Sequence, residues 1–194
     1  MANAYLIVLL SASTLLISRS YSTIAPTVIT TYGPVSGSIT KLPTNKSVKA
    51  YSGIPFAKAG RFEYPVPPDK WSSTLHANNT DKICPQLLNT LSLHKKDLVN
   101  EDCLQLSVYI PENATSNSAL AVMLWIHDGA FVLGDTIDYQ GGFLASEGNV
   151  IVVTAAYRLG VLGFLSSDSD DLRGNYGMMD QIEAMKWVNK NIER

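Results

Sequence analysis

Residue types that mark several classes of protein are scarce in this chain of 194 residues. Its three histidines and two cysteines are too few and too scattered for a metal cluster, and we expect neither a metal nor a cofactor. Its 15 Lys and Arg residues and 17 Asp and Glu residues give a formal net charge of −2 and form no basic cluster. Since nucleic acids and anionic membrane surfaces are bound through basic patches, neither is predicted as the main partner.

The amino-terminal segment, MANAYLIVLLSASTLLISRS, is apolar from Ala4 to Ile17. This run has the length of a signal-peptide core and falls short of the roughly 20 residues that a membrane-spanning helix needs. No Lys or Arg precedes it, but the small residues Ser18 and Ser20 follow it. The segment therefore predicts a secretory signal peptide over residues 1–20, cleaved after Ser20, with a buried core helix as the alternative.

Three Asn-X-Ser/Thr sequons follow this segment, at Asn45, Asn78 and Asn113. Behind a signal-like segment, three sequons indicate passage through the secretory pathway and place these asparagines on the surface. We therefore predict a secreted, extracellular protein that is glycosylated at these positions.

The two cysteines, Cys84 and Cys103, are expected to form a disulfide, because the secretory pathway is oxidising. Closing a loop of about 20 residues stabilises a fold by about 3 kcal/mol in the chain-entropy account. Two buried thiols are the alternative interpretation.

The first part of the chain predicts short extended elements. β-branched residues around Gly33, Pro34 and Gly37 indicate a small antiparallel hairpin region over residues 27–42. The Pro-rich stretch over residues 64–71 cannot be helical, and we expect it to run extended over the surface.

Three apolar segments further along predict the strands of a sheet. Residues 104–110 alternate between apolar and polar side chains, which indicates a half-buried strand ended by Pro111. Residues 121–126 and 150–156 are nearly continuous apolar runs, typical of strands covered on both faces in a parallel sheet. Residues 141–147, between these two runs, predict a short crossover helix.

The last periodic segment predicts an amphipathic helix. Five positions recur near a 3.6-residue period: Met178, Ile182, Met185, Val188 or Asn189, and Ile192. We interpret this stripe as core packing rather than as a ligand-binding surface. Strands covered on both faces need helices on both sides of the sheet, yet the pattern predicts one convincing long helix. Residues 21–194 are therefore expected to be an incomplete α/β domain, the front part of a larger one.

Six motifs stand in a recognisable order: YSGIPFAKA at residues 51–59, CPQ at 84–86, EDCLQLSVYIP at 101–111, WIHDGAF at 125–131, AYRLGVLGFLS at 156–166 and GNYGMMDQIEAMKWVNKNI at 174–192. In order and spacing they resemble the type-B carboxylesterase/lipase family, which is similar to the cholinesterases. The resemblance covers nearly all of the chain after the predicted signal peptide. It implies the amino-terminal part of an α/β-hydrolase fold, in which a small antiparallel hairpin region leads into a mostly parallel central sheet.

In this fold, backbone N–H groups that follow an early strand bind the oxyanion formed during ester hydrolysis. By resemblance, residues 127–130 occupy that place, and the N–H groups of Gly129 and Ala130 are the expected donors. Asp128 departs from the family pattern. A carboxylate ~5 Å from the oxyanion is expected to repel it and to slow the reaction about a hundredfold. We hypothesise that its side chain points away, because Asp suits turns and can bond its own loop. A simple turn is the alternative interpretation of the segment.

The catalytic triad is absent from these residues. The chain contains no G-x-S-x-G, the segment that carries the nucleophile in this family and precedes the acid and the histidine. The family places that segment directly after the helix that ends near Ile192, so no catalytic Ser, acid or base is assigned. His127 belongs to the expected oxyanion loop and is not taken as the general base.

Two pairs of matched charges resemble structural ion pairs of the family. Arg61 with Glu101 would join the Pro-rich loop to the disulfide loop, and Arg158 with Asp180 would lie near the sheet. Removing one member of a buried pair strands the other charge, which is strongly destabilising. Solvated surface charges are the alternative interpretation.

The resemblance implies a secreted serine carboxylesterase. A non-catalytic cholinesterase-like domain for adhesion or assembly is the alternative, as in relatives that keep the fold and lose the triad. Gly129 and Ala130 favour the enzyme, whereas Asp128 favours the second. Two further departures, Gln105 and Ala156, are not catalytic positions, but with Asp128 they indicate a divergent member of the family. A truncated and inactive product is a third possibility.

The expected substrate is a small neutral carboxylic ester. The family's choline site takes a Trp from the disulfide loop, because aromatic faces bind quaternary ammonium groups. The stretch between Cys84 and Cys103 has no aromatic residue, so a choline ester is not expected. No inference about a membrane anchor follows from these residues.

Overall fold

The structure, a computed structural model, describes residues 23–80, 82–86, 97–167 and 169–192. The predicted signal peptide over residues 1–20 lies outside these ranges. Within them, no helix combines the length and the apolar character that a membrane crossing requires.

The described chain forms short strands, two sheets and three helices. In chain order the elements are β1 (Thr23–Ile24), β2 (Val28–Ile29), β3 (Pro34–Ser36), β4 (Ser38–Lys41), β5 (Ser47–Pro55), β6 (Leu75–His76), β7 (Gln105–Pro111), β8 (Val122–Ile126), α1 (Gly142–Gly148), β9 (Ile151–Ala155), α2 (Gly160–Phe164) and α3 (Tyr176–Asn191). The large sheet has the order β1-β4-β5-β7-β9-β8, and the small sheet has the order β2-β3-β6.

The amino-terminal hairpin region builds the small sheet and leads into the large one. β2 pairs antiparallel with β3, and β4 pairs antiparallel with β1 and β5. The turn between β2 and β3 is closed by Thr30, whose N–H and hydroxyl donate to the Gly33 carbonyl at 3.0 and 2.8 Å. The predicted hairpin region is confirmed.

The Pro-rich stretch of residues 64–71 forms no helix, as predicted. A single bridge joins Val66 to Lys58 on the neighbouring segment. At the end of the stretch, the Trp71 ring N–H donates to the Pro34 carbonyl at 2.9 Å and the Trp71 backbone N–H donates to the Tyr32 carbonyl at 2.8 Å. These bonds attach the extended stretch to the small sheet.

β7 lies inside the large sheet, between β5 and β9, and both of its faces are buried. Leu106 and Val108 are buried on one face, while Ser107 and Tyr109 on the other are 1% and 7% exposed. The prediction of a half-buried strand is therefore wrong. Alternating polarity predicted an exposed face, but the Ser107 hydroxyl finds a partner inside the fold, the Thr80 hydroxyl at 3.1 Å.

β8 and β9 are a parallel pair, and the other described pairs of the large sheet are antiparallel. The expected parallel arrangement thus begins with these two strands. α1 connects them, which confirms the predicted crossover helix. Its Ala145 is fully buried in a cluster with Tyr109 and Val152, so the helix covers β7 and β9.

β9 is buried as predicted, but β8 is not. Val122, Met123 and Trp125 of β8 are 37%, 48% and 47% exposed. The prediction of a strand covered on both faces is wrong for β8 in this structure. β8 pairs with β9 alone among the described strands, so it forms an edge of the large sheet.

α3 buries a different face from the one predicted. Its buried residues recur every three or four positions and include polar and charged side chains: Tyr176, Asp180, Ala184, Trp187 and Asn191. Three residues of the expected apolar stripe are outside, since Met178, Ile182 and Met185 are 39%, 41% and 51% exposed. Val188 and Ile192 pack against the core as predicted. The core-packing interpretation is wrong for the three exposed residues, because polar partners hold the other face inward. One of them is Thr31, whose N–H and hydroxyl donate to the Asn191 amide oxygen at 2.7 and 2.9 Å.

The predicted disulfide between Cys84 and Cys103 is confirmed. Both residues are buried, at 3% and 0% exposure. The bridge joins positions 19 residues apart, and a loop of this size stabilises the fold by about 3 kcal/mol in the chain-entropy account. It attaches the segment before β7 to the segment that carries the CPQ motif.

Candidate active site

A loop over residues 127–134, here called the strand-tip loop, follows β8 and begins with a buried histidine. His127 is 3% exposed, and its ring stacks on that of Tyr157 with the ring centres 4.4 Å apart. Burial lowers the pKa of His127, so the ring is neutral at pH 7. The Tyr157 hydroxyl donates to the His127 carbonyl at 3.0 Å, and His127 Nδ1 lies 2.9 Å from the Asp128 carbonyl oxygen. The histidine therefore holds the start of the loop in place.

The strand-tip loop turns back on itself at Gly129. The N–H groups of Val132 and Leu133 both donate to the Gly129 carbonyl at 3.1 Å. Gly129 has a φ of 114°, and a Cβ at this position would lie 1.9 Å from the Leu133 carbonyl oxygen. The turn therefore requires glycine at this position.

Two N–H groups at this turn are available to a ligand. The backbone N–H groups of Gly129 and Ala130 donate to no acceptor among the residues that the structure describes. Gly129 is half-buried and Ala130 is exposed, with a φ of 54° at Ala130. Successive N–H groups in such a turn form a concavity that binds anions. Backbone N–H groups without an acceptor can donate to a negatively charged oxygen.

The far end of the strand-tip loop is held by the segment next to the disulfide. The Gln86 side-chain N–H donates to the Gly134 carbonyl at 2.7 Å, and the Gly134 N–H donates to the Gln86 side-chain oxygen at 2.9 Å. Gln86 lies in the CPQ motif, but sequence reasoning assigned it no role. The two residues are 48 positions apart, and no local pattern indicates their contact.

Asp128 is exposed, and its carboxylate is engaged at the side of the loop. The Tyr139 hydroxyl donates to Asp128 Oδ1, and the Tyr139 ring packs on Trp125 with the ring centres 5.5 Å apart. This hydrogen bond, together with one from its own backbone N–H, lowers the pKa of Asp128 below its usual range. The same bond raises the pKa of Tyr139. Neither of the tyrosines that contact the loop, Tyr139 and Tyr157, was singled out from the sequence.

Residues 24–194 match the family model described as the carboxylesterase family. The chain belongs to the carboxylesterase family. The predicted family and fold class are thereby confirmed, since a solved structure described as a thermophilic PNB esterase superposes with a TM-score of 0.73. The two sequences are 43% identical, and the match covers 86% of this chain and 35% of the esterase chain.

Several relatives are similar over most of the chain. A medium-chain fatty acyl-CoA hydrolase precursor of Anas platyrhynchos is 36% identical over 201 residues, covering 96% of this chain and 36% of the relative. A para-nitrobenzyl esterase of Bacillus subtilis (strain 168) is 43% identical over 175 residues, covering 85% and 34%. A cocaine esterase of Homo sapiens is 39% identical over 182 residues, covering 87% and 33%. The chain thus spans about a third of the length of these relatives.

Arg158 and Asp180 of this carboxylesterase-family chain form a buried ion pair. Their side chains are 6% and 0% exposed. Arg158 donates to the two carboxylate oxygens from Nε at 2.8 Å and from Nη2 at 2.7 Å, and its backbone N–H adds a third bond at 3.0 Å. Its remaining nitrogen, Nη1, donates to the carbonyls of Gly60 and Glu63 at 3.2 and 2.8 Å. The pair therefore joins α3 to the segment before the Pro-rich stretch.

Arg61 and Glu101 are also in contact, but on the surface. Arg61 Nε donates to Glu101 Oε2 at 3.0 Å, and Nη2 donates to Oε1. Their side chains are 61% and 44% exposed, so this pair is not a buried one. The hydrogen bond from Arg61 lowers the pKa of Glu101. An exposed pair of this kind contributes little to stability because water and salt screen it.

The predicted glycosylation positions lie on the surface, whereas Gln105 and Ala156 are buried. The asparagines of the sequons, Asn45, Asn78 and Asn113, are all exposed, and glycosylation at them stays a prediction. Within the described ranges, no group of three or more His, Cys, Asp or Glu side chains could hold a metal ion.

Proposed function

We propose that this chain carries the amino-terminal part of a secreted serine carboxylesterase, in which the strand-tip loop binds the oxyanion. The observation that carries the proposal is the pair of available N–H groups at Gly129 and Ala130, directly after β8 in a member of the carboxylesterase family. The sequence has no G-x-S-x-G. The proposal therefore places the catalytic triad of Ser, acid and His in a part of the parent protein that follows Arg194.

The proposed chemistry is acyl transfer to water. A serine oxygen, whose proton passes to the histidine, attacks the ester carbonyl carbon, and the electron pair of the C=O bond moves onto the carbonyl oxygen to form a tetrahedral intermediate. The intermediate then expels the alcohol, which takes the proton from the histidine, and water attacks the acyl-enzyme in the same way to release the acid and regenerate the serine. The N–H groups of Gly129 and Ala130 would donate to the carbonyl oxygen, where the negative charge develops. The small side chain of Ala130 and the absence of one at Gly129 allow the substrate to approach the backbone.

The proposal places the Asp128 carboxylate away from the oxyanion, held by Tyr139. Replacing Asp128 by glycine should therefore change kcat by less than about threefold, since no strong repulsion is relieved. The pKa of Asp128 is lowered, so the carboxylate stays ionised through neutral pH and the ratio of the two rates should be constant there. Steady-state hydrolysis of a neutral aryl ester between pH 6 and 8 measures both quantities.

Tyr139→Phe is the companion variant, because it keeps the ring against Trp125 and removes the hydroxyl that holds the carboxylate. It should lower kcat when Asp128 is present and leave kcat unchanged in the Asp128→Gly background. A gain approaching a hundredfold in Asp128→Gly alone would show that the carboxylate faces the oxyanion.

The proposed substrate is a small neutral carboxylic ester. The sequence between Cys84 and Cys103 supplies no aromatic face for a quaternary ammonium group. Butyrylcholine and its uncharged isostere 3,3-dimethylbutyl butyrate form a matched pair, and kcat/KM should be higher for the uncharged ester. Strong hydrolysis of butyrylcholine with weak turnover of the isostere would contradict this substrate class.

Secretion and glycosylation are part of the proposal. The signal-like residues 1–20 and the exposed sequons at Asn45, Asn78 and Asn113 support them. Expression in a eukaryotic host should release a protein that begins after Ser20. Its mass should fall on digestion with an endoglycosidase that removes N-linked glycans.

The second candidate is a non-catalytic domain for adhesion or assembly, which the departure of Asp128 from the family pattern favours. The transcript should first be sequenced beyond the codon for Arg194, and the encoded protein treated with a fluorophosphonate probe. A G-x-S-x-G whose Ser is labelled supports the esterase. If the corresponding segment has another residue in place of the Ser and the probe labels nothing, the second candidate is supported.

A further inference from the structure

We propose that Gln86 is a positioning residue for ester hydrolysis, which holds the strand-tip loop against the Cys84–Cys103 disulfide and thereby directs the Gly129 N–H. The inference rests on the proposed function of that loop as an oxyanion hole. It adds a side chain that lies outside the loop and does not contact the substrate.

The Gln86 amide is fully used by backbone groups on two segments. One Nε2 hydrogen bond goes to the Gly134 carbonyl at 2.7 Å and another to the Cys84 carbonyl at 3.2 Å. The oxygen of the amide accepts from the Gly134 N–H at 2.9 Å. The Cys84 carbonyl therefore orients the amide, and the amide then binds both polar groups of Gly134. Because Cys84 is buried and bridged to Cys103, the amide is anchored next to the disulfide.

Gly134 passes this restraint to the start of the loop. Its φ is 126°, and a Cβ there would lie 2.3 Å from His127 Nδ1, so the Gly134 backbone packs directly on the histidine ring. His127 is also held by the stacked ring of Tyr157. A shift of Gly134 would therefore allow the ring to move.

The histidine ring in turn fixes one peptide plane of the oxyanion site. His127 Nδ1 lies 2.9 Å from the Asp128 carbonyl oxygen, within reach of a hydrogen bond from an Nδ1–H. That carbonyl and the Gly129 N–H belong to the same planar trans peptide, so they point in opposite directions. Fixing the Asp128 carbonyl oxygen therefore fixes the direction in which the Gly129 N–H donates.

Glutamine is suited to this position because its amide both donates and accepts. Glutamate keeps the shape but, when ionised, has no hydrogen for the Gly134 carbonyl. Methionine has a similar length and can make neither of the two bonds to Gly134. These two substitutions remove the contact to different degrees without removing the bulk of the side chain.

The test compares Gln86→Met and Gln86→Glu with the wild type, in the protein expressed from the complete transcript. Hydrolysis of a neutral aryl ester gives kcat and KM, and hydrogen exchange followed by mass spectrometry reports the peptide that contains residues 127–134. We expect kcat to fall about tenfold to a hundredfold with KM within about twofold, as for a misdirected oxyanion donor. Exchange should become faster in the strand-tip loop and stay unchanged in α3.

Lys82→Met is the matched control. Lys82 lies on the same segment and pairs with the exposed Asp102, and neither residue bonds the strand-tip loop among the described contacts. This variant should match the wild type in kcat and in exchange. An unchanged kcat in Gln86→Met, or a fall in kcat with equally faster exchange in α3, would overturn the positioning role. If the wild type hydrolyses no ester, the proposed function fails, and the exchange of residues 127–134 decides whether Gln86 holds the loop.

Discussion

Substituting alanine for Gly129 is expected to lower kcat for the proposed ester hydrolysis by about 10²- to 10³-fold, the range for loss of one oxyanion-hole donor. The added Cβ would lie 1.9 Å from the Leu133 carbonyl oxygen, on a residue whose φ is 114°. The turn must therefore open, which would move the N–H groups of Gly129 and Ala130. KM should change little, because these donors act mainly on charge that develops in the transition state.

Steady-state hydrolysis of a neutral aryl ester measures this effect in the protein expressed from the complete transcript. Gly148→Ala is the matched control, because Gly148 is exposed at the end of α1 and a Cβ there would meet Val150 at an ordinary contact distance of 3.4 Å. It should leave kcat unchanged. If Gly129→Ala keeps the kcat of the wild type, the strand-tip loop does not bind the oxyanion.

Replacing Arg158 by methionine is expected to lower the free energy of unfolding by about 3–5 kcal/mol, the cost of breaking a buried ion pair. Asp180 is 0% exposed and would keep only the backbone N–H of residue 158 among its three described donors. The carbonyls of Gly60 and Glu63 would also lose the guanidinium that joins them to α3. The penalty arises because the carboxylate stays buried without its counter-charge.

Urea denaturation measures this loss, and Arg61→Met is the matched control. Arg61 makes the same kind of contact with Glu101, but on the surface, so its replacement should leave the denaturation midpoint unchanged. Replacing both members of the buried pair by apolar residues should recover part of the loss. A decrease of less than about 1 kcal/mol in Arg158→Met would mean that Asp180 is not left as an uncompensated buried charge.

Local patterns predicted several elements of the fold correctly. The hairpin region, α1, β9 and the Pro-rich stretch are each decided by neighbouring residues, through turn chemistry, runs of apolar side chains or the fixed φ of proline. The Cys84–Cys103 disulfide was predictable because the chain has two cysteines and a signal-like start. In these cases the residues that decide the structure are close in sequence or have a single available partner.

Predictions of which faces are buried were less successful, because burial depends on what packs against an element. The second face of β7 was expected to be exposed, but Ser107 and Tyr109 pack inside the fold. On α3, apolar spacing selected Met178, Ile182 and Met185, whereas the helix turns Asp180 and Asn191 inward to partners more than 20 residues away. Patterns of apolar residues cannot predict the burial of a polar side chain that depends on a hydrogen-bond or ion-pair partner.

The candidate site shows the same division. The place of the strand-tip loop, and Gly129 and Ala130 as its expected donors, followed from the order of motifs along the chain. Two hydrogen-bonded contacts at the site were not predicted. Tyr139 and Asp128 are 11 positions apart, and Gln86 and Gly134 are 48 positions apart. Such contacts exist only after β8, the disulfide and the loop have been brought together.

The sequence by itself determined the family of this protein, the disulfide and the short elements, because motif order, cysteine number and turn residues are properties of the chain. The tertiary structure decided which faces of β7, β8 and α3 are covered, where the Asp128 carboxylate is held and what supports the strand-tip loop. These features depend on hydrogen bonds and packing between segments distant in sequence, and the free energy of such contacts is set only when the chain folds.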